Sequence, residues 1–137
     1  MVRICKIITD LPLEPSPLAP QGIIEFCEVC KKCARACPSH AISDGGRTYE
    51  GVTESNNPGV LKWYTDPDRC LELWNEVGTG CSICFRVCPF TKPNTTLHRF
   101  AKWFIRHVPI LDRLWVWLDD ALGYGKQADP REYWPPS

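Results

Sequence analysis

Apolar residues are spaced in different ways along the chain, and each spacing predicts a different structure. Residues 2–8, VRICKII, form a short run of branched apolar side chains and predict a buried strand, in which Cys5 packs as a small apolar residue. Residues 11–20, LPLEPSPLAP, contain four prolines and predict an extended linker, because proline donates no backbone hydrogen bond. The N-terminal region is therefore predicted to be a strand followed by a linker.

Apolar residues recur at helical spacing over residues 97–122 and predict two amphipathic helices. Thr95 or Thr96 caps the first helix, Pro109 separates the two, and Gly123 ends the second. Charged residues interrupt this run too often for a transmembrane span. Its apolar face has three interpretations: packing within a domain, contact with another subunit, or binding at a membrane surface. The apolar positions are Phe100, Trp103, Phe104, Val108, Leu111, Leu114, Trp115, Leu118 and Leu122.

Shorter patterns fill the middle of the chain. Residues 40–43, HAIS, lead into a DGG turn, and residues 60–66, VLKWYTD, predict a second short strand. Residues 70–78 predict a helix that ends at Gly78. Together these patterns indicate an α+β fold with short hairpins and a C-terminal amphipathic helical extension.

The net charge and the length of the chain exclude some classes of function. The 137 residues include 16 basic and 16 acidic side chains, so no net field draws in a phosphate backbone. We therefore expect no nucleic-acid partner. A chain of this length forms one compact domain or belongs to a larger one.

The unusual feature of the composition is cysteine. Seven of the nine cysteines lie in two compact groups, where disulfides between neighbours would constrain almost nothing. A zinc site with four thiolates is a stronger alternative, because pairs of the form C-x2-C are common zinc ligands. The spacing of the first group nevertheless favours iron-sulfur clusters.

The first group, C-x2-C-x2-C-x3-C-P, is the run in which three cysteines hold one [4Fe-4S] cluster and the fourth reaches a second cluster. We expect a tight loop around the first three and a short helix starting near Cys37. The second group, C-x2-C-x3-C-P, repeats the end of this pattern, and Cys70 precedes it. Crossing the fourth ligands assigns Cys27, Cys30, Cys33 and Cys88 to the first cluster, and Cys37, Cys70, Cys81 and Cys84 to the second.

Several motifs taken together resemble the C-terminal part of the corrinoid-dependent reductive dehalogenases. The resemblance covers nearly the whole chain, and its more specific features are KWY ahead of Cys70-x10-Cys81 and the closing LGYG and REYW. The other matching segments are TDLPL, GIIEFCEVCKKCARACPSHAIS, LKWYTDPDRC and CSICFRVCPF.

The resemblance implies an electron relay that passes electrons through two clusters to a cobalamin held by an upstream module, for reductive removal of halide from an organohalide. It also implies that residues 1–20 are the last strand of that module and its linker, that residues 21–94 are a ferredoxin-like two-cluster domain, and that residues 95–137 are a helical tail. No catalytic residue is expected in this chain, which alone should be inactive.

The resemblance also places individual residues. Trp63 corresponds to an aromatic residue of the substrate pocket, with core packing as the alternative, and His40 could approach the corrin or have a structural role. Four basic residues near the cysteines either are solvated or raise the cluster potential and dock a reductant. They are Lys31, Lys32, Arg35 and Arg86.

Two other functions remain alternatives. One is an enzyme similar to epoxyqueuosine reductase, which also joins cobalamin to two clusters, and the other is a free-standing two-cluster ferredoxin. For partners and location, the dehalogenase resemblance implies an electron donor, a membrane-anchor protein or a second copy, and the outer face of the cytoplasmic membrane. Otherwise a cytoplasmic location is expected.

Overall fold

The computed structural model describes residues 8–14, 22–128 and 132, and in this part of the chain all the named elements are helices. The predicted strand of residues 2–8, including Cys5, lies outside the described residues except for Ile8. Residues 11–14, the described part of the predicted linker, contain neither helix nor strand. The α-helices are α1 (Ile23–Cys30), α2 (Lys32–Arg35), α3 (Pro67–Val77), α4 (Ile83–Val87), α5 (Thr96–His107) and α6 (Asp112–Ala121), with short 3-10 helices at Pro89–Thr91 and Pro109–Leu111.

The predicted hairpin strands do not form as strands among the described residues. In this described part of the chain, residues 42–48 pair with residues 62–65 only through two isolated antiparallel bridges, Ile42 with Thr65 and Thr48 with Lys62. The helical part of the α+β prediction is thus found, and its β part is reduced to these two bridges.

Side chains form hydrogen bonds with backbone groups that would otherwise pair between the strands of a longer hairpin. The Asn56 side chain accepts a hydrogen bond from the Val52 amide at 2.8 Å and donates one to the Thr65 carbonyl at 2.9 Å. The buried Tyr64 hydroxyl lies 3.1 Å from the Val60 carbonyl and 3.3 Å from that of Tyr49. Such local bonds compete with sheet formation and fix an irregular loop instead.

Helix α3 has strong signals at both ends. The Asp66 side chain accepts hydrogen bonds from the amides of Asp68 and Arg69, both at 3.1 Å, and Pro67 occupies the first helical position. Gly78 closes the helix with a φ of 68°. The predicted end of this helix is confirmed, and the proline and its cap begin it earlier than Cys70.

The two tail helices form as predicted. Thr95 caps α5 by accepting a hydrogen bond from the His98 amide, the helix stops before Pro109, and Gly123 follows α6 with a φ of 80°. Among the described residues, no helix combines the length and apolar character needed to cross a membrane.

The tail packs against the first cysteine-bearing helix. Phe26 of α1, 1% exposed, and Ile105 of α5, 3% exposed, form the centre of the core, with Trp115 of α6 packed against them. The ring of Phe90 meets that of Phe26 edge-on, with centroids 5.5 Å apart. Burying a side chain such as Phe26 contributes about 1.5–3 kcal/mol, so α1 and the tail stabilise each other.

Candidate metal centres

The first cysteine motif folds as two helices instead of the predicted tight loop. Cys27 and Cys30 lie on α1 and Cys33 lies on α2, and Lys31 separates the helices with a φ of 46°. This left-handed residue ends α1 and starts α2 within one position, so that the chain bends between the second and third cysteines. Cys37 follows α2 and enters a turn, where a short helix was predicted.

The four cysteines of the first predicted set lie together. Burial, followed by the proximity of Cys88, Cys30 and Cys33, raises the pKa of Cys27 to about 11. Burial likewise raises the pKa of Cys30 to about 11, although the backbone N–H and the ammonium of Lys32 oppose the increase. All four cysteines line one cavity of about 40 Å³, beside Phe26 and Phe90.

The second predicted set lies together as well. Burial, followed by the proximity of Cys37 and Cys81, raises the pKa of Cys70, and the same causes raise that of Cys84. These four cysteines line a second cavity of about 420 Å³, which Leu73 and Trp74 extend.

Cys37 differs from the other cysteines in its hydrogen bonds. Burial raises its pKa, but a hydrogen bond from the Ser39 hydroxyl, 3.4 Å away, and backbone N–H groups of Ala41, Ser39 and Ile42 outweigh burial and lower it. Donors that stabilise a thiolate also lower the electron density on a ligating sulfur. This position is therefore prepared for a negatively charged sulfur ligand.

The two sets are adjacent. Cys33 of the first set is close enough to Cys84 of the second to raise its pKa, and Cys37 raises that of Cys33 in the same way. Helix α2 packs against α4, which brings the two motifs side by side.

The donor sets fit iron-sulfur clusters. The described cysteines are all free, and four thiols surround each cavity. Among the described residues, no three His, Cys, Asp or Glu side chains are placed to hold a single metal ion. Thiols spread around a cavity suit a cluster, whose several irons separate its ligands. The structure thus brings the members of each predicted set together, and their coordination of iron stays a prediction.

Lys32, which the sequence pattern placed among solvated or docking charges, is buried. Its side chain is 3% exposed and its ammonium contacts Asp119 and, at 2.9 Å, Asp120 of α6. Burial alone would lower the pKa of Lys32, but the bonds to both carboxylates outweigh burial and raise it. Arg35 also pairs with Asp120, at 3.1 Å. The sequence gives no local signal for these pairs, since the partners are 87 and 85 positions away.

Comparison with known proteins identifies the chain's relatives. Residues 26–91 match the family model of the 4Fe-4S double cluster binding domain. The tetrachloroethene reductive dehalogenase of Sulfurospirillum multivorans is 47% identical over 133 residues, which are 97% of this chain and 26% of the relative. The enzyme of the same name from Desulfitobacterium hafniense is 37% identical over 134 residues, covering 95% of this chain and 24% of its own length. The chain is similar to one segment of the tetrachloroethene reductive dehalogenases. It spans about a quarter of the length of these relatives.

Solved reductive dehalogenases have the same fold in this region. One, described as suggesting a mechanism for B12-dependent dehalogenation, matches with a TM-score of 0.73 at 30% identity, covering 85% of this chain and 16% of its own. A more limited match is the epoxyqueuosine reductase of Leadbetterella byssophila, 31% identical over 68% of this chain and 30% of that protein. The dehalogenase likeness is therefore both broader and higher in identity.

The two non-cysteine residues singled out by the dehalogenase resemblance do not line the cysteine cavities, although the His40 amide donates a hydrogen bond to the Cys37 carbonyl at 3.1 Å. Trp63 is half-buried, donates a hydrogen bond to the Gly45 carbonyl at 3.1 Å, and has the guanidinium of Arg47 5.6 Å from its ring. His40 is exposed, with a φ of 50°, in a polar depression beside Arg69. Their roles toward a substrate or a corrin stay predictions.

Proposed function

We propose that this chain is the electron-relay part of a reductive dehalogenase. The observation that carries the proposal is the grouping of eight cysteines into two adjacent sets of four, in a chain that matches the 4Fe-4S double cluster domain and tetrachloroethene reductive dehalogenases. The first cluster would be held by Cys27, Cys30, Cys33 and Cys88, and the second by Cys37, Cys70, Cys81 and Cys84.

Each structural feature has a role in such a relay. The thiolates hold iron, and the raised pKa values of the free thiols mean that iron binding must displace protons. Backbone N–H groups directed at Cys30 and Cys37 stabilise negative sulfur and so favour reduction. The contact between α2 and α4 keeps the two sets adjacent, which a stepwise transfer of single electrons requires.

The complete protein would replace a halogen on carbon by hydrogen, consuming two electrons and one proton and releasing halide. Cobalamin, when bound, supplies the low-valent cobalt that reacts with the organohalide. We assign cobalamin, the proton donor and most of the substrate pocket to the part of the relatives that this chain does not cover. Trp63 is the one residue of this chain that we place at the pocket.

The remaining proposals concern shape, partners and location. We propose an α+β, ferredoxin-like description of residues 21–94, with the two antiparallel bridges as its reduced hairpins. In the complete protein, a membrane-anchor protein or a second copy would be the partner, at the outer face of the cytoplasmic membrane. Residues 1–20 would join the cobalamin module to the cluster domain.

A second candidate function is that of an epoxyqueuosine reductase, supported by the match to that enzyme. This enzyme acts on tRNA, whereas the present chain has equal numbers of basic and acidic residues. A third candidate, a free-standing ferredoxin, does not account for the tail helices. Binding of tRNA by the reconstituted chain would favour the second candidate over the first.

Iron analysis tests the cluster assignment. Anaerobic reconstitution of the full chain should load about eight iron and eight sulfide per chain, because two cubes each contain four of both. Dithionite should then bleach the visible absorption of both clusters. Incorporation of zinc without sulfide, or of only one cluster, would contradict the proposal.

A further inference from the structure

A buried cation forms part of the wall around the first set of cysteines. Lys32 lines the same cavity as Cys27, Cys30, Cys33 and Cys88, and its side chain is 3% exposed. Its backbone N–H donates to the sulfur of Cys30, and its ammonium acts on the same sulfur through space. Lys32 therefore contacts the first site both through its backbone and through its charge.

The counter-ions of Lys32 come from the other end of the chain. Asp119 and Asp120 of α6 both contact its ammonium, and Asp119 is itself only 15% exposed. Arg35 shares Asp120 at 3.1 Å, so that two cations face two carboxylates. The charge beside the first cavity is balanced only while α6 is in place.

Gly125 lies directly against this group of charges. A Cβ atom at Gly125 would lie 2.7 Å from the Asp120 carboxylate and 3.3 Å from the Lys32 ammonium. The absence of a side chain thus lets the backbone pass directly over the ion pair. Lys32 and Asp119, the two largely shielded members of the group, act on one another more strongly than charges in water do, because the local dielectric is lower.

The arrangement has a redox consequence. A cluster gains negative charge when it is reduced, so a fixed cation beside it favours the reduced state and a fixed carboxylate opposes it. Lys32 and Asp119 should therefore act on the cluster in opposite directions. If either residue only anchored α6, replacing it would not shift the reduction potential in a direction set by its charge.

We propose that Lys32 and Asp119 are positioning residues that together set the reduction potential of the first cluster, so that the docking of α6 is coupled to electron transfer. This inference rests on the proposed function, because it requires a cluster bound by the first set of cysteines. It adds a role for the tail beyond packing: α6 supplies the charge that moderates Lys32.

The test is a redox titration of the reconstituted full chain, followed by electron paramagnetic resonance. Lys32→Met should lower one of the two midpoint potentials and leave the other unchanged. Asp119→Asn should raise the same midpoint, and the double variant should return it toward that of the unaltered chain. We expect each single change to alter the ratio of oxidised to reduced cluster about tenfold at a fixed potential, which is about 59 mV for one electron.

Controls separate charge from damage. Lys62→Met removes an exposed cation whose ammonium lies 4.6 Å from the Tyr64 ring centroid, and should move neither midpoint. Lys32→Arg keeps the charge and should preserve the potential. If Lys32→Met does not retain its cluster, Asp119→Asn still decides, since Lys32 and its bond to Asp120 remain.

Opposite shifts at one cluster support the proposal. Unchanged midpoints in a loaded Asp119→Asn variant, or shifts of the same sign in both single variants, would overturn it and leave an anchoring role only. Failure of the unaltered chain to load two clusters would instead contradict the proposed function, so the two failures are distinguishable.

Discussion

Under the proposed function, Cys37 is the residue that distinguishes crossed from uncrossed cluster ligation. It belongs to the first motif by sequence, yet it lies beside Cys70 and Cys84, whose pKa values it raises. Its sulfur also receives hydrogen bonds from Ser39 and from the backbone beyond it. The turn after α2 therefore directs this cysteine to the second cavity, as crossed ligation requires.

Pairs of substitutions test this assignment. Cys37→Ser should impair one cluster, and Cys37→Ser with Cys70→Ser should impair no more than that cluster, because both residues serve it. Cys37→Ser with Cys27→Ser should impair both clusters. Iron and sulfide analysis would show about half of the full load in the first double variant and much less in the second.

Cys5→Ser is the control, since Cys5 is outside both predicted sets and should leave the iron content unchanged. The reverse result for the two double variants would mean that each motif holds its own cluster without crossing. Loss of iron in the Cys5 variant would show that the ligand sets are wrong.

The surroundings of a residue can be predicted from the sequence when its partners are near in the chain, and not when they are far away. The cysteine sets follow from local spacing, and the structure brings each set together. The burial of Lys32 could not be predicted, because its partners Asp119 and Asp120 lie in a distant helix and a lysine beside Lys31 in a charged stretch has the pattern of a solvated residue. Only the packing of α6 on α1 creates this pair.

Individual elements show the same division between local and distant causes. Thr95, Pro109 and Gly123 set the ends of the tail helices through caps and breaks that act within one turn, so those ends were predictable. The predicted hairpin strands do not form because the side chains of Asn56 and Tyr64 make hydrogen bonds with loop backbone several residues away. Alternation of apolar residues does not reveal such bonds.

The contact between α1 and α5 depends on a glycine. Gly22 precedes α1 with a φ of 92°, and a Cβ there would lie 2.9 Å from the Arg106 Cα and 3.0 Å from the Ile105 carbonyl oxygen. Both neighbours are backbone atoms of a helix and cannot move aside easily. The close approach of the two helices therefore requires glycine at this position.

We expect Gly22→Ala to reduce the free energy of unfolding by about 1–3 kcal/mol, from backbone strain together with the clash. Gly46→Ala is the matched control, because no heavy atom lies within 4 Å of its Cβ position, and it should change stability by less than about 0.5 kcal/mol. Urea titration followed by far-ultraviolet circular dichroism measures both. Equal midpoints for the two variants would contradict the close approach.

At the scale of the whole molecule, the tail has two different faces. Ile105 and Trp115 pack toward α1, whereas Trp103, Ile110 and Trp117 are 52%, 88% and 62% exposed. Apolar exposure on this scale is typical of a surface that contacts another protein or domain. The relatives are about four times as long as this chain, and under the proposed function their remaining length supplies that contact.

The division between electron relay and catalyst can be tested by activity. Cluster irons that are fully ligated by cysteine have no open position for a halide, so under the proposed function the reconstituted chain of 137 residues should not release halide from an organohalide. It should not bind cobalamin tightly either, because the proposal assigns that cofactor to the part of the relatives that this chain does not cover. A longer protein that joins this chain to the part of the relatives that it does not cover should both release halide and bind cobalamin. In that protein, Cys33→Ala should abolish halide release and leave cobalamin bound, because Cys33 belongs to the first cysteine set and lies close to the second, so that only the electron path is cut. Cys5→Ser should retain both properties.

Ion chromatography of halide and the absorption of bound cobalamin measure the two outcomes separately. Steady halide release by the short chain alone, or loss of cobalamin together with activity in the Cys33 variant, would show that these residues do more than carry electrons.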